Sequence, residues 1–292
     1  MLTTMVTRSK PKRPQNGTLF AFAGGTLVVV TAVLAVRHSV YQAEVPSCVH
    51  RYETAEVLSM RDNGARKFSV ADLQARLSGN DWGLMQHARV VARDGDRRKL
   101  GLRIALPAGA EHGGRYEQPG SGAGFTWLPR RIKGANAACL SYDVKLGADF
   151  SFDASGVLPG LVARDERTGE VVLSFPLAWL ESRQAAVRLQ RTNKNQVVNI
   201  PAGRRHFVLP RNRWVSLDQE VILNTPGRAN GVVRLWVNGA LWIEKTGLIL
   251  RQQSDTVLVG VRADTHYVGS VLHWAAAPKA TEVDLSPFVV RQ

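Results

Sequence analysis

The feature that most restricts the fold of this chain is a long series of short strands, which runs from about Arg89 to the C-terminus. Segments such as KLGLRIALPAG, ACLSYDVKLGADF, GEVVLSF and DTVLVGVRAD alternate apolar and polar residues, and Gly, Pro, Asn or Asp separates them. No long amphipathic helix lies between these segments, so parallel βαβ units are not expected. The pattern therefore predicts an all-β fold, an antiparallel β-sandwich of jelly-roll type.

Two short stretches specify their local structure more closely. In VVRLWVNGALWIEK, Asn238 and Gly239 supply the two positive-φ positions of a type I′ turn, which predicts a hairpin. In SVADLQARL, Ser69 and Asp72 have the spacing of a capping box, and the apolar residues share one face. A short helix between Ser69 and Leu77 is therefore predicted ahead of the strands.

The N-terminal end has the features of a membrane anchor. Residues 1–17 form a basic tail with four cations and no acid, and residues 18–36 are 19 residues without a charge, long enough to cross a bilayer as a helix. The positive-inside rule keeps the tail in the cytoplasm, so we expect a single-pass membrane protein with an extracytoplasmic C-terminal domain. A cleaved signal peptide is the alternative, because Val33-Leu34-Ala35 resembles a cleavage site, although the apolar run exceeds the usual signal-peptide core.

These signals divide the chain into four parts. The basic tail (1–17) and the transmembrane anchor (18–36) precede a stalk or accessory segment (37–80), which contains the predicted helix. The β-domain occupies residues 81–292. No internal repeat or low-complexity block is evident.

The charge of the chain favours a polyanionic partner. Lys and Arg number 38 against 24 Asp and Glu, a net charge of +14, and +10 remains when the four cations of the tail are set aside. Such an excess suits nucleic acid, anionic lipid or an acidic polysaccharide, and a solvated basic surface is the plain alternative. No helix-turn-helix, zinc-finger or RNA-recognition pattern is present, so we do not expect nucleic acid to be the partner.

The two cysteines, Cys48 and Cys139, match no metal-ligand spacing. A single disulfide and two buried thiols are both open. We expect neither a metal nor another cofactor.

Strand phase indicates which polar side chains gather on one face of the sandwich. Arg188 and Gln190 alternate with the apolar residues of AAVRLQR, and Lys145 does so in CLSYDVKL. Arg234 and Trp236 point outward in VVRLWVNG by the same rule. A face that displays arginines and aromatics suits a polymer that carries carboxylates, and an ordinary solvent-facing position is the alternative for each residue taken singly.

Longer stretches of the β-domain resemble a known family. The segments KLGLRIALPAGA, GAGFTW, LSYDVKLGADFSFDASGVLPGL, RWVSLDQEVILNTPGRANGVVRLWVNG and HWAAAPKATEVDLSPFVV resemble, in the same order, landmarks of the polysaccharide lyases of family 14 (alginate lyases) and the related glucuronan lyases. The resemblance covers the chain from about Gln86 to Gln292. It implies a β jelly roll with a groove for an acidic polysaccharide.

The family's reaction, β-elimination of a uronate polymer, needs three groups. The C5 carboxylate must be neutralised, a base must take the C5 proton, and an acid must protonate the leaving O4. The resemblance implies the lysine of an elbow written Gly-Gly-Lys-Leu-Pro-Gly-Leu, a Ser-x-Arg pair and a Tyr-x-Tyr pair in these roles. In this chain the corresponding positions are Val157, then Ser174 and Pro176, then Arg188 and Gln190.

Most of the proton-transfer groups that the family uses are thus replaced. Val157 carries no exchangeable proton, and Pro176 offers neither a cation nor a backbone donor. Arg188 stays protonated and so is no base, although it can pair bidentately with a carboxylate. The Leu-Pro-Gly-Leu turn is expected to persist as architecture, in which proline fixes φ and glycine allows the chain to reverse.

Other residues are candidates for the lost roles. The candidate catalytic residues are His206, Tyr267 and Ser174, the first two as base or acid. The candidate substrate-binding residues are Arg188, Gln190, Arg205 and Lys145. The alternative for His206 and for His266 is a surface histidine without a catalytic role. Tyr142 is in phase with apolar residues and is expected in the core, and Trp236 and Trp242 are expected to pack across the hairpin.

The functional expectation is a membrane-anchored, extracytoplasmic domain that binds an acidic uronate polysaccharide such as alginate or glucuronan. Two forms of this expectation stay open: an active lyase with a rearranged site, and a protein that binds the polysaccharide but no longer cleaves it. The alternative is a non-catalytic jelly roll that serves as a structural or protein-interaction module on a cell or virion surface.

Overall fold

The alternating segments of the sequence form strands that pair into two antiparallel sheets. The computed structural model describes residues 45–61, 66–77, 81–109, 121–132, 134–192, 195–202, 207–268 and 277–292. Within them, nine strands make sheet I and eight make sheet II, numbered β1 to β17 in chain order. The predicted antiparallel β-sandwich is thereby confirmed.

Sheet I contains β1 (Ala55–Leu58), β3 (Ala88–Arg93), β4 (Asp96–Leu106), β6 (Ala137–Leu146), β11 (Trp214–Ile222), β12 (Gly231–Val237), β13 (Ala240–Leu248), β16 (Thr281–Leu285) and β17 (Phe288–Arg291). Its order is β13-β12-β11-β6-β16-β4-β3, and β17 pairs with both β1 and β6. Many of these neighbours are distant in sequence, so the chain crosses between the sheets repeatedly.

Sheet II contains β2 (Asp81–Trp82), β5 (Gly124–Trp127), β7 (Gly156–Asp165), β8 (Val171–Trp179), β9 (Ala185–Arg191), β10 (Gln196–Pro201), β14 (Thr256–Arg262) and β15 (His266–Tyr267). Its order is β10-β9-β8-β7-β14-β5-β2, and β15 pairs with β7 beyond the end of β14. The stretch around Val157, Ser174 and Arg188 therefore lies on three adjacent strands of one sheet.

The core lies between the two sheets and follows the predicted alternation. In β6, Tyr142 and the apolar residues on either side of it are buried, whereas Ser141, Asp143 and Lys145 are partly exposed on the other face. Burying one such large apolar side chain contributes about 1.5–3 kcal/mol to the free energy of folding. The inward faces of the strands thus supply the main stabilisation.

The two local predictions are confirmed. Asn238 and Gly239 have φ of 49° and 82° between β12 and β13. Helix α1 (Val70–Arg76) begins after Ser69, whose Oγ accepts a hydrogen bond from the Asp72 backbone N–H at 3.1 Å. The Asp72 carboxylate accepts the Ser69 N–H in return at 2.8 Å, which completes the capping box. A second short helix, α2 (Leu84–His87), leads into β3.

A strap formed by residues 46–52 covers part of the outer face of sheet I. It contains a 3₁₀ turn (Cys48–His50), and Cys48 forms a disulfide with Cys139 of β6. Between the two possibilities that the sequence left open, the structure selects the disulfide. The compact unit is Pro46–Gln292, so the described part of the segment 37–80 packs on the sandwich.

The strap changes the environment of Trp236. Its ring points to the outer face of sheet I, as the alternation predicts, but it is completely buried because the strap lies over it. The Arg51 guanidinium carbon is 5.3 Å from the centre of the ring. Trp236 is therefore part of a second, smaller interior between the strap and the sheet.

No helix in the described part of the chain is long and apolar enough to cross a membrane. The predicted tail (1–17) and anchor (18–36) lie outside the described residues.

Candidate functional site

The elbow sequence Gly-Val-Leu-Pro-Gly-Leu forms a bulged strand and no reversal. It lies inside β7, and its pairing with β8 shifts between Leu158 and Gly160. The φ of Gly160 is not positive, so its conformational freedom has no role in a turn. A Cβ at Gly160 would overlap the carbonyl oxygen of Phe175 on β8, so the close approach of the strands requires glycine. This corrects the expectation that glycine allows the chain to reverse here.

Two polar side chains of sheet I satisfy the backbone groups that the bulge leaves unpaired. The hydroxyl of Tyr142 donates to the carbonyl oxygen of Pro159 at 2.9 Å. The Gln219 amide donates to the Phe175 carbonyl at 2.6 Å and accepts the Leu161 N–H at 2.9 Å. Burial raises the pKa of Tyr142 well above its ordinary value, and the residue belongs to the core as predicted. Both side chains therefore fix the bulge from inside the sandwich.

The bulge sets which residues of sheet II face away from the core. Gly160 pairs with Pro176 on one side and with Arg262 on the other. Arg188 lies opposite Pro176, because the pairs Ser174 with Gln190 and Leu177 with Val187 flank that position. One cross-strand row on the outer face, which we call the arginine row, therefore contains Asn199, Arg188, Pro176, Gly160, Arg262 and Thr126. With neighbouring strands about 4.8 Å apart, the backbones of Arg188 and Arg262 are roughly 14 Å apart.

Arg188 is a buried cation whose side chain hydrogen-bonds to a neutral amide. Only 8% of the residue is exposed, and its Nε donates to the Asn199 side-chain oxygen at 3.1 Å. No carboxylate of the described residues forms an ion pair with it. Burial lowers the pKa of Arg188, but a guanidinium keeps its charge at any working pH. The side chain thus carries a desolvated charge that an anion from outside would neutralise.

Two further arginines share this face. The Nε of Arg262 is 4.0 Å from an Asp264 carboxylate oxygen, and its side chain is about one-third exposed. Arg164, near the end of β7, has a buried Nε that forms no hydrogen bond with any of the residues the structure describes. Val162, Val257 and Val259, with the partly buried Val171 packed against them, form a small apolar cluster on this face, and each of the three is at most 4% exposed. The face therefore holds its arginines above a packed apolar layer.

Ser174 lies on the outer face but is fully engaged. Its Oγ donates to the Gln190 side-chain oxygen at 2.8 Å, and only 1% of the residue is exposed. The two residues are direct cross-strand neighbours. A hydroxyl whose proton is committed to an amide has no adjacent base to activate it.

The next row brings His266 beside Val157, the position where the family's lysine is expected. The two residues are paired neighbours on β15 and β7. The Nδ1 of His266 is 2.8 Å from the carbonyl oxygen of Tyr267, and because a carbonyl oxygen only accepts, Nδ1 donates this hydrogen bond. Trp82 packs edge-on against the imidazole, with the two ring centres 5.6 Å apart. Its Nε1 donates a hydrogen bond to a carboxylate oxygen of Asp264 at 3.2 Å. Burial raises the pKa of Asp264, while Arg262 and Trp82 oppose the rise.

The other predicted site residues lie elsewhere. Tyr267 points into the core between Phe150 and Trp179, and its hydroxyl donates to the Ser151 carbonyl at 2.8 Å. Burial raises its pKa far from neutrality, so it is no acid or base for a ligand on the outer face. Lys145 belongs to sheet I, where its Nζ pairs with Asp94 at 3.1 Å. His206 and Arg205 lie outside the described residues.

Sequence reasoning missed Arg262, Arg164 and Trp82. Arg262 is the last residue of β14, but this strand contains a register shift between Leu258 and Gly260 that changes its phase. Trp82 belongs to a strand of two residues, too short to show a pattern. Among the described residues, no group of three or more His, Cys, Asp or Glu side chains is placed to hold a metal ion.

Comparison with known proteins agrees with this fold. The model of the family Polysaccharide lyase 14 matches residues 162–288. The PL-14 alginate lyase from Aplysia kurodai superposes with a TM-score of 0.62 at 21% identity, covering 82% of this chain and 99% of that one. An alginate lyase from a Chlorella virus superposes with a TM-score of 0.60 at 15% identity, covering 81% of this chain and 100% of that one. An endo-β-1,4-glucuronan lyase from Trichoderma reesei superposes with a TM-score of 0.51 at 14% identity, covering 70% of this chain and 86% of that one.

No curated protein sequence matches the chain. The family model and the solved structures together confirm the resemblance to polysaccharide lyase family 14.

Proposed function

We propose that this domain of polysaccharide lyase 14 type binds an acidic, uronate-containing polysaccharide on the outer face of sheet II. The observation that carries the proposal is Arg188, a residue of which only 8% is exposed and whose hydrogen-bond partner among the described residues is the neutral Asn199. A carboxylate of the ligand would complete a bidentate pair with it and recover the desolvation cost of the charge.

The rest of the face supports a sugar polymer as the source of that carboxylate. Arg262, about one-third exposed, offers a second cation on the same row. Trp82, partly exposed beside His266, adds an aromatic surface of the kind that packs against sugars. The related structures are named as lyases of alginate and of glucuronan, both uronate polymers.

A second candidate function, cleavage of the bound polymer, is favoured by His266. The family's lysine position is Val157, which transfers no proton, but the imidazole of His266 is its neighbour on the next strand. In β-elimination this imidazole would take the C5 proton, the C4–C5 double bond would form, and the C4–O4 bond would break. The same imidazolium would return the proton to O4, which suits uronates whose C5 hydrogen and O4 lie on one face of the ring.

Binding is tested by titrating the full-length chain, in mild detergent, with mannuronate and glucuronate oligomers in a calorimeter. Arg188→Ala should weaken binding about tenfold, as expected for loss of a charged hydrogen-bonded pair. Arg228→Ala, in the exposed turn between β11 and β12, is the control of equal charge and should leave affinity within about twofold. Affinity should also fall as salt is added. No binding by the wild type, or equal binding by Arg188→Ala, would favour the structural or protein-interaction alternative.

Cleavage is tested by following the absorbance of unsaturated uronate during incubation with the same polymers. An active lyase should lose most of this signal in His266→Gln while it retains polymer binding. If the wild type binds but produces no absorbance, the domain is a binder only.

We further propose that the domain works outside the cytoplasm. The Cys48–Cys139 disulfide supports this location, because such bonds persist in oxidising compartments. The anchor at 18–36 and the cytoplasmic tail stay predictions. Protease added on the extracytoplasmic side of the membrane, in spheroplasts or in sealed vesicles of known orientation, and carbonate extraction of the membranes would test them. A domain that is protected from this protease, or released by carbonate, would contradict an anchored extracytoplasmic domain.

A further inference from the structure

The last residue of the arginine row, Thr126 of β5, also lines a cleft. The cleft has a volume of about 480 Å³ and lies beside helix α1. The other lining residues are Glu56, Arg76, Leu77, Trp127, Leu128 and Arg130. The row and the cleft therefore meet at Thr126.

The lining of the cleft contains two arginines and one acid. Arg76 is the last residue of α1, and its guanidinium carbon lies 5.8 Å from the centre of the Phe68 ring. Arg130 is exposed, and neither arginine forms an ion pair with the described residues. The acid of the cleft, Glu56, accepts the backbone N–H of Arg131 at 3.0 Å. The lining thus has an excess of one positive charge.

The shape and position of the cleft fit a sugar residue with a carboxylate. Leu128 is 44% exposed and offers an apolar wall, while the two guanidinium groups offer donors in fork geometry. Helix α1 holds Arg76 in place, because Leu73 and Leu77 pack into the main core and the capping box fixes the start of the helix. The accessory segment thus contributes directly to the surface.

We propose that Arg76 and Arg130 form an end subsite for a uronate residue of the same polymer that binds at Arg188 and Arg262. This inference rests on the proposed function. The row crosses β10, β9, β8, β7, β14 and β5, so the path from Asn199 to Thr126 is roughly 24 Å long at 4.8 Å per strand. Only an oligomer long enough to cross most of this path reaches both ends.

The test compares short and long oligomannuronates on the full-length chain by calorimetry. In the double variant Arg76→Ala/Arg130→Ala, the affinity for long oligomers should fall about fivefold to tenfold, from the loss of two partly exposed ion pairs. The affinity for short oligomers, which fit between Arg188 and Arg262, should stay within about twofold. The matched control is Arg98→Ala/Arg228→Ala, which removes the same charge at exposed positions outside the site.

Three outcomes decide the proposal. A length-selective loss in the double variant, absent from the control, supports the subsite. An unchanged affinity for long oligomers, while Arg188→Ala still weakens both lengths, overturns the subsite and leaves the proposed function intact. Absence of any binding by the wild type overturns both. Because Arg76 ends a helix, Arg130→Ala is measured alone as well, and it should show a smaller length-selective loss without change in the thermal unfolding midpoint.

Discussion

On the outer face of sheet I, Glu220 is completely buried and accepts hydrogen bonds from Arg51 at 3.0 Å, Arg234 at 2.8 Å and Tyr52 at 2.9 Å. On the outer face of sheet II, Arg188 is nearly as buried, and within the part of the chain that the structure describes its side chain hydrogen-bonds to the amide of Asn199 alone. A buried charge with complementary partners serves the fold, whereas one without them is a cost to it. The first face is closed by the chain's own strap, whereas the proposed function assigns the partner of Arg188 on the second face to a ligand.

The largest expected effect comes from breaking the closed cluster. Glu220→Gln removes the charge that neutralises Arg51 and Arg234, so the free energy of unfolding should fall by about 3–5 kcal/mol. Urea denaturation of the full-length chain measures it. Glu244→Gln, which removes the more exposed partner of Arg234, should cost less than about 1 kcal/mol. Equal losses in both variants would contradict the distinction between the buried and the exposed carboxylate.

Removing the Cys48–Cys139 disulfide tests whether the strap stabilises sheet I without affecting binding on sheet II. Cys48 and Cys139 are 91 residues apart, and replacing both by serine should lower the free energy of unfolding by about 2–4 kcal/mol. Binding to uronate oligomers at moderate temperature should be unchanged, because Arg188 lies in the other sheet. Loss of binding in a variant that is still folded by circular dichroism would show that the two faces are coupled.

Gln219 connects the two sheets, and its replacement should affect both stability and binding. In Gln219→Leu the Leu161 N–H and the Phe175 carbonyl would lose their partner inside the core, at a cost of about 2–3 kcal/mol. The bulge that sets the arginine row would relax, so oligomer affinity should fall as well. Gln196→Leu, at the exposed start of β10, is the matched control and should change neither quantity. Full stability of Gln219→Leu would mean that water replaces the amide.

The sequence was sufficient where structure is set by near neighbours. The capping box of Ser69 and Asp72, the Asn238-Gly239 hairpin and the strand phase of β6 depend on residues a few positions apart, and all were predictable. The environment of Trp236 was not, because the strap that buries it reaches sheet I through a disulfide to a distant strand.

The candidate site was predictable only in part, because bulges change the phase of a strand. Val157, Ser174, Pro176 and Arg188 were placed on neighbouring strands by resemblance, and they are neighbours in sheet II. The register shifts in β7 and β14 then decide which residues face outward, and no alternation rule covers them. In the two-residue strand β15, the phase that separates His266 from Tyr267 comes from pairing with β7 and not from the local sequence.

The smallest expected effect is a free energy of unfolding that stays the same or rises, whereas the preceding variants lower it. It tests the contrast between the two faces most directly. If Arg188 is a charge held for a ligand, replacing it by a methionine of similar length should leave the free energy of unfolding unchanged or raise it by about 1 kcal/mol, since a desolvated cation is removed. Arg234→Met on sheet I should lower it, because Glu220 would lose a partner. Urea denaturation without ligand compares the two, and calorimetry should show that Arg188→Met has also lost affinity for uronate. A clear destabilisation by Arg188→Met would mean that its pairing with Asn199 serves the fold, and the case for an anionic ligand at that position would fail.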